Sequence, residues 1–188
     1  MKNILPLRSG IDVKPLSLAL RRNPQLWNDN NQRTKSQDSP HLEVDDIWVR
    51  YNPDLTNSGP HESLWYSAVD LLPEVKDIVY PLMAMVKGER LGGVLITRIP
   101  ASRRVYPHMD LGWHAEKYQK FAVQIESHPQ QHFAFEDGTL ITAPGDVYWF
   151  NNQSLHWVNN DSPVDRITLI VCIETDTYER VEKLCLGL

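Results

Sequence analysis

The sequence predicts a single, mainly β domain: an antiparallel sandwich or jelly roll with one helix packed against it. The 188 residues fit one domain with a modest addition. Eight short apolar runs follow residue 93 and are separated by Gly, Pro, Asn and Asp turns. Hydrophobic residues make up 41% of the chain, so a core can form without disulfides.

The first 40 residues differ in character from the rest. A modest apolar run at 16–20 leads into a polar stretch at 28–40 that has little to bury. We therefore expect residues 1–40 to form a partly flexible N-terminal arm and residues 41–188 to form the single folded domain.

The domain opens with a strand and a helix. The strand covers Ile47–Tyr51 and is ended by Asn52 and Pro53. Pro73 is placed for the first turn of the helix, Gly88 closes it, and Pro81 is expected to kink it. The apolar residues of its buried face recur at helical spacing: Val75, Ile78, Val79, Leu82, Met83 and Val86.

The remaining elements are predicted as strands, with a short closing helix at 176–184. Their alternating or continuous apolar patterns give the following ranges: 94–99, 105–110, 121–127, 132–135, 139–143, 146–150, 155–158 and 166–174.

Charge and cysteine usage exclude several classes of function. The net charge is −5 and no dense Lys/Arg stripe occurs, which argues against nucleic-acid binding. Cys172 and Cys185 form no CxxC pair, as expected in a reducing compartment. The first residues lack the apolar stretch of a signal peptide and no segment is long and apolar enough to span a membrane, so we expect a cytoplasmic protein.

A His-x-Asp pair marks one strand. His108 and Asp110 lie at i and i+2, so their side chains leave the same face of a strand. The spacing alone is weak, because short His-x-Asp pairs arise readily by chance.

A second pattern joins a histidine to an arginine. An apolar run containing His156 and one beginning at Arg166 flank a turn cluster centred on Asp161. Read as a hairpin, this places His156 opposite Arg166, with Cβ atoms about 5 Å apart. Placing two potential cations side by side contributes little to apolar packing. A bound anion would explain why a histidine and an arginine share this face.

Together, His108, Asp110 and His156 form the two-His, one-carboxylate set that is typical of non-haem Fe(II) oxygenases. An Arg beside such a set is suited to gripping a carboxylate with two parallel hydrogen bonds. 2-Oxoglutarate has the matching shape, with a keto acid at one end and a carboxylate at the other.

From Pro73 to Glu174 the chain resembles the aspartyl/asparaginyl β-hydroxylase-like group of Fe(II)- and 2-oxoglutarate-dependent oxygenases. The ten-residue interval from His156 to Arg166 is the most specific feature. The other matching segments are 91–100, 107–110, 121–125, 138 and 144–151.

The resemblance implies a double-stranded β-helix, a cupin-like jelly roll with a flanking helix before the barrel. It implies that His108, Asp110 and His156 hold Fe(II) and that Arg166 binds the distal carboxylate of 2-oxoglutarate, with O2 as co-reactant. Lys120, or alternatively Lys117, is expected at the other carboxylate. The implied substrate is an Asp or Asn side chain in a peptide, or a related small amino acid. The sequence departs from vertebrate aspartyl hydroxylases, which lack the carboxylate ligand that Asp110 supplies.

Several other aromatic residues carry no metal-ligand spacing. His114 is expected to be an exposed loop residue, Trp113 to overhang the site or to fasten its loop to the core, and Trp157 to lie on the opposite face of the strand from His156. The remaining histidines are expected at the surface: His41, His61, His128 and His132.

Three other classes of function compete with an oxygenase. A catalytically silent binding module would share the fold, but the intact His-x-Asp pair and His156 argue against the loss of a metal site. A cupin-like metal-binding protein or non-oxygenase enzyme would share the fold, but it has no need of Arg166. A serine hydrolase is disfavoured because no G-x-S-x-G motif is present.

Overall fold

The computed structural model describes residues 3–54 and 59–175, and their strands form two antiparallel sheets. The larger sheet has the strand order β1-β9-β6-β11-β4-β2-β3, and the smaller has the order β5-β10-β7-β8. This arrangement confirms the predicted antiparallel jelly roll. The strands are β1 (Ile4–Arg8), β2 (Asp45–Tyr51), β3 (Leu64–Trp65), β4 (Arg90–Ile99), β5 (Arg104–His108), β6 (Gln119–Glu126), β7 (Gln131–Phe135), β8 (Gly138–Leu140), β9 (Val147–Phe150), β10 (His156–Asn160) and β11 (Arg166–Glu174).

Four helices accompany the sheets: α1 (Lys14–Arg22), α2 (Ala68–Leu71), α3 (Glu74–Met85) and α4 (Trp113–Lys117), with a 3-10 turn at Pro24–Leu26. Helix α3 confirms the helix predicted from Pro73, and Pro81 lies inside it. Helices α1, α2 and α3 all contribute to a hydrophobic cluster with one face of the larger sheet.

The period-two alternation of the strands separates two cores. On β11, Leu169 and Val171 belong to the cluster between the larger sheet and the helices, and both are fully buried. Their neighbours Arg166, Thr168 and Ile170 face the interior between the two sheets, where they line a cavity. One face of β11 therefore packs in the hydrophobic core, while the other face lines the cavity between the two sheets.

The first 40 residues, expected to form a partly flexible arm, contribute regular elements to the fold. Strand β1 pairs with β9 at the edge of the larger sheet, with Ile4 opposite Phe150. In α1, Leu16, Ala19 and Leu20 are buried at helical spacing. Pro15 starts this helix, and the i, i+3, i+4 pattern of these three residues was the signal available in the sequence.

The predicted hairpin between His156 and Arg166 is wrong. Strand β10 belongs to the smaller sheet and β11 to the larger, so the connection between them crosses from one sheet to the other. The buried side chain of Asn160 directs this crossing, because its Nδ2 donates to the carbonyl oxygens of Ile99 and Val164 at 2.9 and 2.8 Å. His156 pairs with His108 on β5 instead.

The predicted closing helix at 176–184 and Cys185 lie outside the described residues. Within the described part of the chain, no helix is long and apolar enough to cross a membrane.

Candidate metal centre and adjoining cavities

Three potential metal ligands meet at one end of the space between the sheets. His108 ends β5, His156 begins β10, and the antiparallel register sets these two residues opposite each other. Asp110 follows β5 by two residues, and its backbone N–H donates to the carbonyl of Asn152 at 2.8 Å. One ligand atom from each of the three side chains lies within 4.8 Å of the other two.

Backbone hydrogen bonds orient both imidazoles. The Nδ1 atom of His108 lies 2.8 Å from the Tyr106 carbonyl, and that of His156 lies 2.8 Å from the Ser154 carbonyl. Because a carbonyl only accepts, each Nδ1 carries the proton and each Nε2 keeps its lone pair. This is the arrangement usual for metal-binding histidines.

The electrostatics of the site keep the histidines neutral and the carboxylate charged. Burial, and secondarily the neighbouring His108, lower the pKa of His156 to about 4. Burial also lowers the pKa of His108. For Asp110, burial alone would raise the pKa, but the Lys120 ammonium outweighs it and the pKa falls to about 2.

Lys120 lies directly on the carboxylate of the cluster. Its Nζ donates to Asp110 Oδ2 at 2.5 Å, while Asp110 Oδ1 lies 3.8 Å from His108 Nε2. One carboxylate oxygen is thus held by the lysine and the other faces the histidines. Lys117 instead pairs with Glu174 at 2.8 Å and lines neither cavity described below.

The donor set fits a divalent metal ion. Two neutral imidazoles and one carboxylate on adjoining strand ends approach from one side, which leaves further coordination positions open. Such an open facial set suits Fe(II) and a chelating oxygen ligand better than a closed structural Zn site.

The first cavity extends inward from the histidines between the two sheets. Arg166 lies within it and is only 4% exposed. The Arg166 guanidinium donates to Thr168 Oγ1 at 2.6 Å and to the Tyr148 hydroxyl at 3.1 Å. Among the described residues, no carboxylate lies within 4.0 Å of it. Most of the remaining wall is apolar or aromatic: Ile99, Val105, Phe133, Phe150, Val158 and Ile170.

Two site residues missed by the sequence reasoning come from the polar N-terminal stretch. Arg33 forms a bidentate ion pair with the fully buried Asp46, at 2.8 and 2.9 Å, and also lines the first cavity. The expectation that His41 lies at the surface is wrong: it is 9% exposed, and its ring lies 4.7 Å from that of His108. Neither residue belongs to a recognisable sequence motif. Their place in the site depends on the ion pair between Arg33 and Asp46 on β2 and on the contact between Arg33 and His41.

A second cavity opens on the Asp110 side of the cluster. Arg33, His41 and Lys120 line both cavities, so the three ligands lie where the cavities meet. Other lining residues of the second cavity are Trp48, Tyr51, Gly93, Leu95, Leu111, His114 and Cys172.

His114 is a wall of this second cavity, and the expectation of an exposed loop histidine is wrong. Its Nε2 accepts from the Gly93 backbone N–H at 3.3 Å, and burial lowers its pKa to about 3. Trp113 packs against Tyr118, with ring centroids 5.9 Å apart, so it fastens the loop to the core. Trp157 alternates with the buried His156 and Val158, so it lies on the opposite face of β10 as predicted, but it is only partly buried and not packed into a core as expected.

The sequence matches no family model and no curated protein. The structure resembles several solved structures at low identity, and this likeness confirms the fold. A prolyl hydroxylase from Trichoplax adhaerens, in complex with a hypoxia inducible factor peptide fragment, aligns with a TM-score of 0.59 at 8% identity over 100% of this chain and 87% of that chain. A 2OG complex of a viral collagen prolyl hydroxylase from Paramecium Bursaria Chlorella virus-1 gives 0.53 at 9% identity over 93% and 97%. A 2OG-Fe(II) oxygenase family oxidoreductase from Burkholderia pseudomallei gives 0.54 at 9% identity over 70% and 67%.

Proposed function

We propose that this protein is an Fe(II)- and 2-oxoglutarate-dependent dioxygenase that hydroxylates a C–H bond. One observation carries the proposal: a His-Asp-His cluster lies at one end of a cavity whose wall also holds a buried arginine that has no acidic partner among the described residues. A metal alone would account for the cluster but not for the arginine. A small molecule with a chelating group and a distal carboxylate accounts for both.

Fe(II) and 2-oxoglutarate supply the oxidising chemistry: O2 and 2-oxoglutarate are converted to succinate and CO2, and one oxygen atom enters the substrate C–H bond. His108, Asp110 and His156 would hold the metal. The resemblance to known oxygenase structures supports this assignment at the level of the fold.

Arg166 would bind the distal carboxylate of the cosubstrate. Its guanidinium is already oriented by Thr168 and by the Tyr148 hydroxyl, so little side-chain freedom is lost on binding. The apolar walls around it exclude water and strengthen the charge-assisted bonds.

Lys120 would contact the carboxylate at the chelating end of the cosubstrate, as the sequence suggests. Its position in the wall of both cavities and its hydrogen bond to Asp110 support a place beside the metal. Lys117 is engaged with Glu174, which favours Lys120 of the two.

The substrate we propose is an Asp or Asn side chain in a peptide, or a related small amino acid. The sequence resemblance supports the side chain, and the peptide bound by the Trichoplax neighbour supports a peptide. The net charge of −5 argues against a nucleic-acid substrate.

The direct test is anaerobic calorimetric titration with 2-oxoglutarate, with and without Fe(II). We expect 2-oxoglutarate to bind far more tightly when Fe(II) is present, because one molecule contacts both the metal and Arg166. Asp110→Ala should abolish this gain, whereas Asp161→Ala, in an exposed turn, should keep it.

Metal binding without any effect on 2-oxoglutarate would overturn the proposal. That outcome would favour the cupin-like metal-binding protein instead.

A further inference from the structure

Two residues that line the second cavity, Trp48 and His41, each carry a buried ring nitrogen without a hydrogen-bond partner within the described residues. The indole Nε1 of Trp48 and the Nδ1 of His41 are both buried, and neither makes a hydrogen bond within the described residues. Both residues line this cavity. Since an unpaired buried polar group is costly, their presence together indicates a ligand that accepts hydrogen bonds.

The protonation of His41 Nδ1 follows from its neighbours. Arg33 Nη1 lies 3.4 Å from His41 Nε2, and the Asp46 carboxylate holds this guanidinium in place. Since arginine only donates, Nε2 accepts from it and Nδ1 carries the proton. The indole N–H of Trp48 is likewise only a donor. These residues therefore present two donors, whereas the NH2 group of a carboxamide ligand would itself need acceptors.

The charges where the two cavities meet also favour a negatively charged ligand. Arg33 is neutralised by Asp46, and Lys120 by Asp110. Under the proposed function, Arg166 is paired with the distal carboxylate of the cosubstrate, so the divalent metal, Asp110, Lys120 and the chelating carboxylate together carry one net positive charge. One negative charge on the substrate would balance the site.

We propose that the second cavity binds a substrate carboxylate, and that Trp48 and His41 make the protein prefer a carboxylate to the isosteric carboxamide. The inference rests on the proposed function and narrows its substrate class from Asp or Asn to acidic side chains and small acids. A carboxylate can offer a separate oxygen to each donor, whereas a carboxamide has a single oxygen and an NH2 group that only donates.

The test compares two probes that differ only in this group: N-acetyl-L-aspartate amide and N-acetyl-L-asparagine amide. The protein is first saturated with Mn(II) and 2-oxoglutarate, so that the first cavity is filled and no turnover occurs. Calorimetry should then show the aspartate probe binding at least about tenfold more tightly than the asparagine probe.

Two variants assign this preference to the proposed donors. Trp48→Phe and His41→Phe should each weaken the aspartate probe about tenfold and leave the asparagine probe unchanged. The matched control is Trp157→Phe, because Trp157 lies on the face of β10 opposite to His156. This variant should bind the aspartate and asparagine probes with the wild-type affinities. Retained binding of 2-oxoglutarate in each variant shows that it is folded.

Several results would overturn the inference while leaving the oxygenase proposal intact. They are equal affinities for the two probes, no binding of either probe to the loaded protein, or a preference that both donor variants retain. Failure of 2-oxoglutarate itself to bind, seen before any probe is added, would overturn the proposed function and this inference with it.

Discussion

Arg166 differs from the other partly or fully buried arginines near the site in what neutralises it. Arg33 and Arg98 are paired with Asp46 and Asp45, whereas the partners of Arg166 within the described part of the chain are the hydroxyls of Thr168 and Tyr148. A charged group left without a counterion in an apolar cavity destabilises the fold. A bound dicarboxylate would offset this cost.

Replacing Arg166 with alanine should therefore weaken 2-oxoglutarate tenfold to a hundredfold, which corresponds to a charge-assisted hydrogen bond of roughly 1.5–3 kcal/mol. The affinity for Fe(II) should not change, because the guanidinium is not a ligand. Both constants can be obtained from the anaerobic titration described above.

Arg103→Ala is the matched control, since Arg103 is an exposed arginine paired only with Glu43 at 3.8 Å. A parallel loss of Fe(II) and 2-oxoglutarate affinity in Arg166→Ala would mean that this residue only supports the fold.

The residues of the cluster were predictable, but their surroundings were not. The i, i+2 spacing of His108 and Asp110 indicates a shared strand face, and the structure brings both to His156. Arg33 and His41 gave no such signal, because their place depends on one long-range ion pair to Asp46. The local sequence does not distinguish these two residues from the other polar residues around them, because only a tertiary contact places them in the site.

At the scale of elements, that ion pair fastens the polar segment of residues 28–41 over the site. Asp46 is fully buried on β2 and also accepts from Thr97 on β4. Asp46→Ala should destabilise the protein by about 3–5 kcal/mol, because it leaves the Arg33 charge buried without its partner. The free energy of unfolding in urea measures this loss.

Asp45→Ala is a neighbouring comparison that removes two partly exposed interactions, the ion pair with Arg98 and the hydrogen bond from Asn28 Nδ2, and it should cost about 1 kcal/mol or less. Equal losses in the two variants would contradict the view that Asp46 anchors the segment.

Helix α1 provides a separate test of whether the first 40 residues belong to the folded unit. Leu16 is fully buried in the cluster shared with the larger sheet, so Leu16→Ala should cost about 2–5 kcal/mol of unfolding free energy. Leu18, on the same helix, is 51% exposed, and Leu18→Ala should change stability by about 0.5 kcal/mol or less.

If both substitutions were equally mild, α1 would be an appendage, and the domain would begin near residue 41 as the composition suggests.

Sequence patterns located most elements but not their pairing. Apolar runs in the sequence indicate five of the strands, because their buried residues are either continuous or alternate along the strand: β2, β4, β6, β7 and β9. The supposed hairpin failed because a short turn between two runs is equally compatible with a crossing between sheets. The side chain of Asn160 makes that choice through bonds to residues about 60 positions earlier.

In the whole molecule, two cavities meet at the His-Asp-His cluster. The first, between the two sheets, carries Arg166, and the second carries Trp48 and His114. Cosubstrate and substrate would therefore reach the metal from different sides, as a reaction between them requires. No local pattern predicts this arrangement, since the cavity walls come from strands of both sheets and from the segment before β2.

Succinate formation measures whether Fe(II) and 2-oxoglutarate react at the His-Asp-His cluster, as proposed. Purified protein is supplied with 2-oxoglutarate, Fe(II), ascorbate and O2, and the wild type is compared with Asp110→Ala and Asp161→Ala. We predict succinate from the wild type and from Asp161→Ala and none from Asp110→Ala. Succinate formation unaffected by Asp110→Ala, or its absence from a wild-type protein that also fails to bind 2-oxoglutarate, would show that this cluster does not carry the proposed reaction.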